Sequence, residues 1–166
     1  SLPRPEYNKM MKDLIAALKA NGPRIKPKVR LLYTGGHADN PEFFELLQQN
    51  DAHVVSDNIG FGTRAADVLI CEDGDPLEAI INYYFEEKPA ATRQMGTLVE
   101  RMERLLDLVK QYKADGVVAS RLYMCDLWAF EHFVMRKRLH ENNVPFLELE
   151  VDYTPEGQGQ IKTRVQ

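Results

Sequence analysis

The chain has 166 residues, of which 44% are apolar, and a formal net charge of −4. That is one domain's length with enough apolar content for a real core. The acidic balance argues against a broad nucleic-acid surface, which needs clustered Lys and Arg. Two cysteines do not make a disulfide framework and fit a reducing cytoplasm. No apolar run approaches the ~20 residues of a membrane span, and no signal peptide is visible, so a cytoplasmic protein without membrane attachment is expected.

In chain order, residues 5–21 place Met10, Met11, Leu14 and Leu18 on one helical face. Gly22 and Pro23 stop that helix, so residues 1–27 read as a leading helix and linker. "VRLLYT" (29–34) reads as a strand that leaves through "GGHADNP". Asn40-Pro41 supplies an N-cap and a first helical residue for "EFFELLQQN". "AHVVSD" (52–57) is a second strand, and "NIGFGTRAADVLI" a glycine-bearing loop running into helical sequence. Asp75-Pro76 opens a helix that ends at Pro89. Met95, Leu98, Val99, Met102, Leu105, Leu106 and Val109 repeat at helical spacing, with Glu100 and Arg104 read as an outer pair. A strand at 115–120, a helix at 126–142 and a strand at 144–151 follow. "DYTPEGQGQ" reads as a closing loop. The chain begins on Ser and ends on "GQIKTRVQ", which reads as the first turns of a helix, so a piece of a longer polypeptide is expected.

Strands alternating with helices predict a single α/β domain over 1–166: a four-stranded parallel sheet with helices on both faces, a flavodoxin/Rossmann-like three-layer arrangement. Strand order is not readable from sequence. The commonest four-strand solution, 2-1-3-4, puts the switch point between strands 1 and 3, and ligands sit beyond the carboxyl ends of strands at such a point. Strand 1 exits into Gly35, Gly36 and His37. Strand 3 exits through Ser120 and Arg121 towards Cys125, with Thr154-Pro155-Glu156-Gly157 after strand 4 close by.

Cys125 falls at a helix entrance, where amide dipoles favour a thiolate. Three readings stay open: a metal or cluster ligand, a nucleophile, or a packed apolar thiol. No CxxC and no second ligand at suitable spacing accompanies it, and His132 lies two turns away, too far to act as its base. Cys71 reads as packing at a helix end. Gly35-Gly36 either cradles a phosphate at a helix start or makes a tight turn. Arg64 either holds an anion, such as a phosphate of a thioester cofactor, or pairs with an acid. Arg136-Lys137-Arg138, near a helix end, complements its dipole.

At this point the residues resemble a known family. "PEFFELLQQNDAHVVSDN", "GTR" (62–64), "DPLEAI", "RMERLLDLVKQYKADGVV", "MCDLWAFEHFVMRKRLHENNVPFLELEVDYTP" and "GQGQIKTRVQ" are similar, in order, to the carboxy-terminal half of subunits of 2-hydroxyacyl-CoA dehydratases and ATP-dependent benzoyl-CoA reductases. The Cys-Asp, Asp-Tyr-Thr-Pro and Gly-Gln-x-x-Thr-Arg motifs are specific in combination. Departures stand at "NIGFGTR" and "KPAATRQ", where the family often has Cys.

The resemblance implies a subunit of the D-component type that holds a [4Fe–4S] cluster through three cysteines, one of them Cys125 and the others in the half not present here. This stretch alone would hold an incomplete cluster. It also implies a heterodimer with a second subunit, an ATP-hydrolysing iron–sulfur activator, and an acyl-CoA substrate whose ketyl radical loses hydroxide. Gly35, Gly36, His37, Arg64, Ser120 and Arg121 become the substrate-binding candidates, and Met124, Trp128 and Phe130 a dry shell around Cys125. Two alternatives remain: a benzoyl-CoA reductase-type subunit that reduces the ring, and a non-catalytic binding or assembly module of the same fold.

Overall fold

The structure, a computed structural model, describes residues 2–22, 25–36, 41–152 and 155–165. Its elements run α1 (Arg4–Asn21), β1 (Val29–Gly35), α2 (Pro41–Gln48), β2 (Ala52–Asn58), a 3-10 turn (Thr63–Ala65), α3 (Pro76–Asn82) continued by a π turn (Tyr83–Glu87), α4 (Leu98–Gln111), β3 (Gly116–Leu122), α5 (Asp126–Glu141), β4 (Phe146–Val151) and α6 (Pro155–Val165).

The four strands form one parallel sheet in the order β2-β1-β3-β4. This is the predicted 2-1-3-4 arrangement, and the α/β fold stands. β1 pairs with β3 from Leu31↔Gly116 to Gly35↔Ser120, so the two strands end level. β1 against β2 slips by one residue between Leu31 and Leu32.

Alternation along the strands sends side chains to two separate cores. Leu32, Val117 and Ala119 face Met102, Leu105, Leu106, Leu108 and Val109 of α4 and Met135 and Leu139 of α5. Tyr33, Val118 and Leu149 face Phe43 and Leu47 of α2 and Ile161 of α6. Burying each large aliphatic side chain contributes about 1.5–3 kcal/mol. The two helix layers follow from handedness. The β1-to-β2 crossover steps one way along the sheet and the β2-to-β3 and β3-to-β4 crossovers step the other, so one hand throughout puts α2 opposite α4 and α5.

Several local expectations are corrected. The loop after β2 makes only the three-residue turn Thr63–Ala65; Leu69 beyond it is exposed, and a short helix there would have no apolar surface to dock on. Cys71 lies exposed in that loop, with its Sγ 3.7 Å from the Asp73 carbonyl, and packs no helix end. α4 starts at Leu98, because Gly96 has φ 81, outside helical space; Met95 is therefore off the stripe and 97% exposed. Arg104 pairs with Asp67 rather than Glu100. Residues 155–160, expected as loop, form the first turns of α6, with Pro155 at its start.

The predicted helix α1 is present, but it buries none of its residues: Met10, Met11, Leu14 and Leu18 are all exposed. Arg136 and Arg138, at the end of α5, pair with Glu148 and Glu103. Asn40, expected as the cap of α2, lies outside the described residues.

Candidate functional site

β1 and β3 leave the sheet side by side. The Gly36 amide donates to the Ser120 carbonyl at 2.8 Å. Gly35 has φ 112, and a Cβ there would stand 2.0 Å from the Ser120 oxygen, so only glycine fits. Beneath them the Tyr33 hydroxyl and Ser120 Oγ hydrogen-bond in the buried interior. Gly35, Gly36 and Ser120 thus meet at the carboxyl ends of β1 and β3. His37 lies outside the described residues, as does Thr154.

Past Ser120 the chain stays on β4. Arg121 Nε lies 3.2 Å from Glu148 Oε1, and its guanidinium also pairs with Glu150. The Tyr123 amide donates to the Val151 carbonyl at 2.9 Å. Met124 then takes a left-handed turn, φ 62, and the Cys125 amide returns to the Leu122 carbonyl at 3.1 Å. This turn drops Cys125 onto the N-cap of α5, where its carbonyl accepts from Ala129 at 3.0 Å and its thiol makes no capping bond. The thiol is half-buried and free.

The expected dry shell is only partly there. Trp128 packs on His132, with ring centroids 5.7 Å apart, but Met124 is 75% and Phe130 63% exposed. Met124 is turned outward by its left-handed backbone, and Phe130 lies on the outer face of α5.

Arg64 reaches its place through Asp57. That carboxylate, at the end of β2, accepts from the amides of Ile59 at 3.2 Å and Thr63 at 2.9 Å and from the Thr63 hydroxyl at 3.1 Å. A Cβ on Gly62 would stand 2.1 Å from Asp57 Oδ1, so glycine lets the turn close. The turn presents Arg64 to a small cavity of about 10 Å³ of mixed lining, polar at Thr34, Asn58, Thr92, Arg101 and Glu131 and apolar at Met102, Leu105, Trp128 and Met135. Arg101 of α4 and Glu131 of α5 form a buried two-point ion pair there. Burial lowers the Arg64 pKa, and Arg104 and Arg101 lower it further by repulsion. Glu131 holds the Arg101 pKa up.

A second polar centre lies between α5 and β4. Glu148 takes Arg121, Arg136 and, at 3.5 Å, the Nδ1 of fully buried His132. Burial lowers the His132 pKa and outweighs the opposing pull of Glu148. Burial alone would raise the Glu148 pKa, but Arg121, His132 and Arg136 bring it below its ordinary value.

Asp57, Asn58, Arg101, Glu131 and Glu148 do not stand out in the sequence. A signal exists for two of them. Glu131 sits three and four residues from Trp128 and Met135, and Arg101 four before Leu105, so each is a charge on an apolar stripe.

As a metal centre, Cys125 offers one sulfur donor, of the type that ligates iron–sulfur clusters. Among the described residues no group of three or more His, Cys, Asp or Glu is set to hold a metal ion. Cys125 is thus a single donor at this edge, and among the described residues no complete ligand set surrounds it. Larger hollows lie off this edge, a groove of about 240 Å³ between α2 and α6 and one of about 320 Å³ between α4 and α5. No described helix is long and apolar enough to cross a membrane.

Comparison with known proteins gives the same direction. The chain is 24% identical to the (R)-phenyllactyl-CoA dehydratase beta subunit of Clostridium sporogenes, over 98% of this chain and 43% of that one. It is 23% identical to one of the subunits of the benzoyl-CoA reductase of Thauera aromatica, over 88% and 39%. It is 21% identical to the beta subunit of (R)-2-hydroxyglutaryl-CoA dehydratase of Acidaminococcus fermentans, over 98% and 44%. The chain spans less than half the length of these relatives. The family model described as 2-hydroxyglutaryl-CoA dehydratase, D-component, matches residues 1–166 without remainder, and the chain belongs to that family.

Proposed function

We propose that this chain is the carboxy-terminal α/β unit of an iron–sulfur subunit in a 2-hydroxyacyl-CoA dehydratase, with Cys125 as one cluster ligand. The observation that carries the reading is the position of Cys125: a free, half-buried thiol at the N-cap of α5, beyond the carboxyl ends of the central strands β1 and β3.

A [4Fe–4S] cluster held there would supply one-electron reduction of the acyl thioester. This chain's own residues bind and position. Gly35 and Gly36, packed on Ser120, present backbone without side chains at the carboxyl ends of β1 and β3, so a thioester can approach the backbone closely there. Arg121, fixed by Glu148 and Glu150, holds the β3 exit against β4 and so sets where the turn to Cys125 begins. Arg64 offers a cation from the β2 side. A second subunit and an ATP-hydrolysing iron–sulfur activator complete the working assembly, in the cytoplasm.

The test is an anaerobic assay of the full-length subunit with its partner subunit, activator and ATP. Supplied with 2-hydroxyacyl-CoA thioesters, the complex should lose water from substrate while consuming far less than one electron per turnover. Stoichiometric electron use with benzoyl-CoA would favour the reductase-type subunit, which the likeness to the benzoyl-CoA reductase of Thauera aromatica supports. Turnover of neither substrate would favour the assembly module.

A further inference from the structure

The charges around α4 and α5 do not cancel. Arg101 is matched by Glu131 and Arg104 by Asp67. Arg64 stands half-buried beside both arginines; Glu131, already engaged by Arg101, attracts it, but among the described residues it makes no hydrogen bond or ion pair of its own. A cation withdrawn from water without an acceptor is costly, and natural sites offset that cost with a partner. A second observation points to the same place: Asn58, 9% exposed, lines the same cavity as Arg64, and its Oδ1 has no partner among the described residues. The cavity has room for about one water. Such a water would supply Asn58 with a donor and would leave the Arg64 guanidinium without a hydrogen-bonded anion of its own.

We propose that Arg64 and Asn58 form an oxyanion subsite at the carboxyl end of β2, taking a phosphate or carboxylate group at the mouth of this cavity. The guanidinium gives a two-point donor fork suited to such oxygens. The Asn58 amide, whose oxygen and nitrogen exchange places by a flip, turns its NH2 towards the anion. Asp57 positions Arg64 by closing the turn Gly62–Thr63. The paired Arg101 and Arg104 reinforce the field from behind. The identity of the ligand rests on the proposed function: the anion is either a phosphate of the CoA moiety or a carboxylate on the acyl chain.

The experiment uses the full-length protein and its variants Arg64→Gln, Arg64→Lys and Asn58→Asp, each checked by its unfolding midpoint. Binding is measured for an acyl-CoA, the matching acyl-pantetheine thioester without phosphates, and the same pair with a terminal carboxylate on the acyl chain. Thermal stabilisation by inorganic pyrophosphate is read in parallel. Arg64→Gln should weaken the anion-bearing ligand about tenfold or more, Arg64→Lys should recover part of it, and Asn58→Asp should weaken it with Arg64 intact. An effect confined to CoA thioesters identifies the phosphate; one confined to the carboxylated acyl chains identifies the carboxylate. Pyrophosphate stabilisation lost in Arg64→Gln, in a protein that binds no acyl-CoA, keeps the subsite and overturns the proposed function instead. Equal behaviour of wild type, Arg64→Gln and Asn58→Asp towards every compound overturns the subsite.

Discussion

Arg101 and Glu131, thirty residues apart in sequence, meet in a two-point ion pair: Nε to Oε1 at 2.8 Å and Nη2 to Oε2 at 2.7 Å, with only 8% and 4% of the two residues exposed. The pair ties α4 to α5 on the side of the sheet that carries Cys125. The same guanidinium also donates to the carbonyls of Ala91 and Gln94 and so holds the segment before α4.

Breaking this pair on one side strands a buried charge. Glu131→Ala should lower stability by about 3–5 kcal/mol, and Arg101→Met similarly. The double variant Arg101→Met/Glu131→Ala should be much less destabilised than the sum, because neither charge is then left alone. Urea unfolding of the four proteins gives the cycle; additive losses would contradict the pairing.

The two adjacent glycines should behave differently. Gly35→Ala forces a left-handed backbone and a methyl into the Ser120 carbonyl, at a cost of about 3 kcal/mol or more. A Cβ on Gly36 would lie 3.8 Å from the same oxygen, an ordinary contact, so Gly36→Ala should change stability by less than about 1 kcal/mol. Soluble yield and unfolding midpoints of the two variants decide it.

His132 carries a pH dependence whose sign follows from its lowered pKa. In the unfolded chain it titrates near 6.5, and in the folded chain below that, so the unfolded state binds the extra proton first. Stability should be fully present above pH 6.5 and fall as pH drops below it. Glu148 adds its own loss only at lower pH, below its ordinary 4.5. His132→Phe should flatten the slope between pH 6.5 and 5. Nδ1 faces Glu148 at 3.5 Å, too long for more than a weak contact, Nε2 has no hydrogen-bond partner among the described residues, and the ring packs between Trp128 and Phe146. The variant should therefore cost little at pH 7. An unchanged slope would assign the pH dependence to another group.

Leu14 on α1 is half-exposed and the helix buries nothing. Leu14→Glu in this 166-residue chain should change the unfolding free energy by no more than about 0.5 kcal/mol. A clearly larger loss would mean that α1 packs on the sheet in solution.

The sheet was legible because alternation is local. Leu32 and Tyr33, or Val117 and Val118, announce two buried faces, and the intervening helical stripes announce crossovers. The strand order rested on the frequency of the 2-1-3-4 arrangement rather than on any residue. The corner at Cys125 was legible for the same reason, a strand running into a helix start. The polar half of the site was not. Asp57 closing the turn before Arg64, and Glu148 joining Arg121 to α5, are tertiary relations between residues whose own neighbourhoods look ordinary. The stripe of α1 shows the converse limit: periodicity marks a face able to pack, and the surface it meets lies in tertiary structure.

The central claim is tested by iron and acid-labile sulfide per chain in the full-length subunit, purified without oxygen, with and without Cys125→Ser. The account predicts about four irons in the wild type and a sharp fall in the variant with the fold retained. Equal iron in both proteins, or none in either when both are folded, would contradict it and leave Cys125 a packed thiol at the entrance of α5.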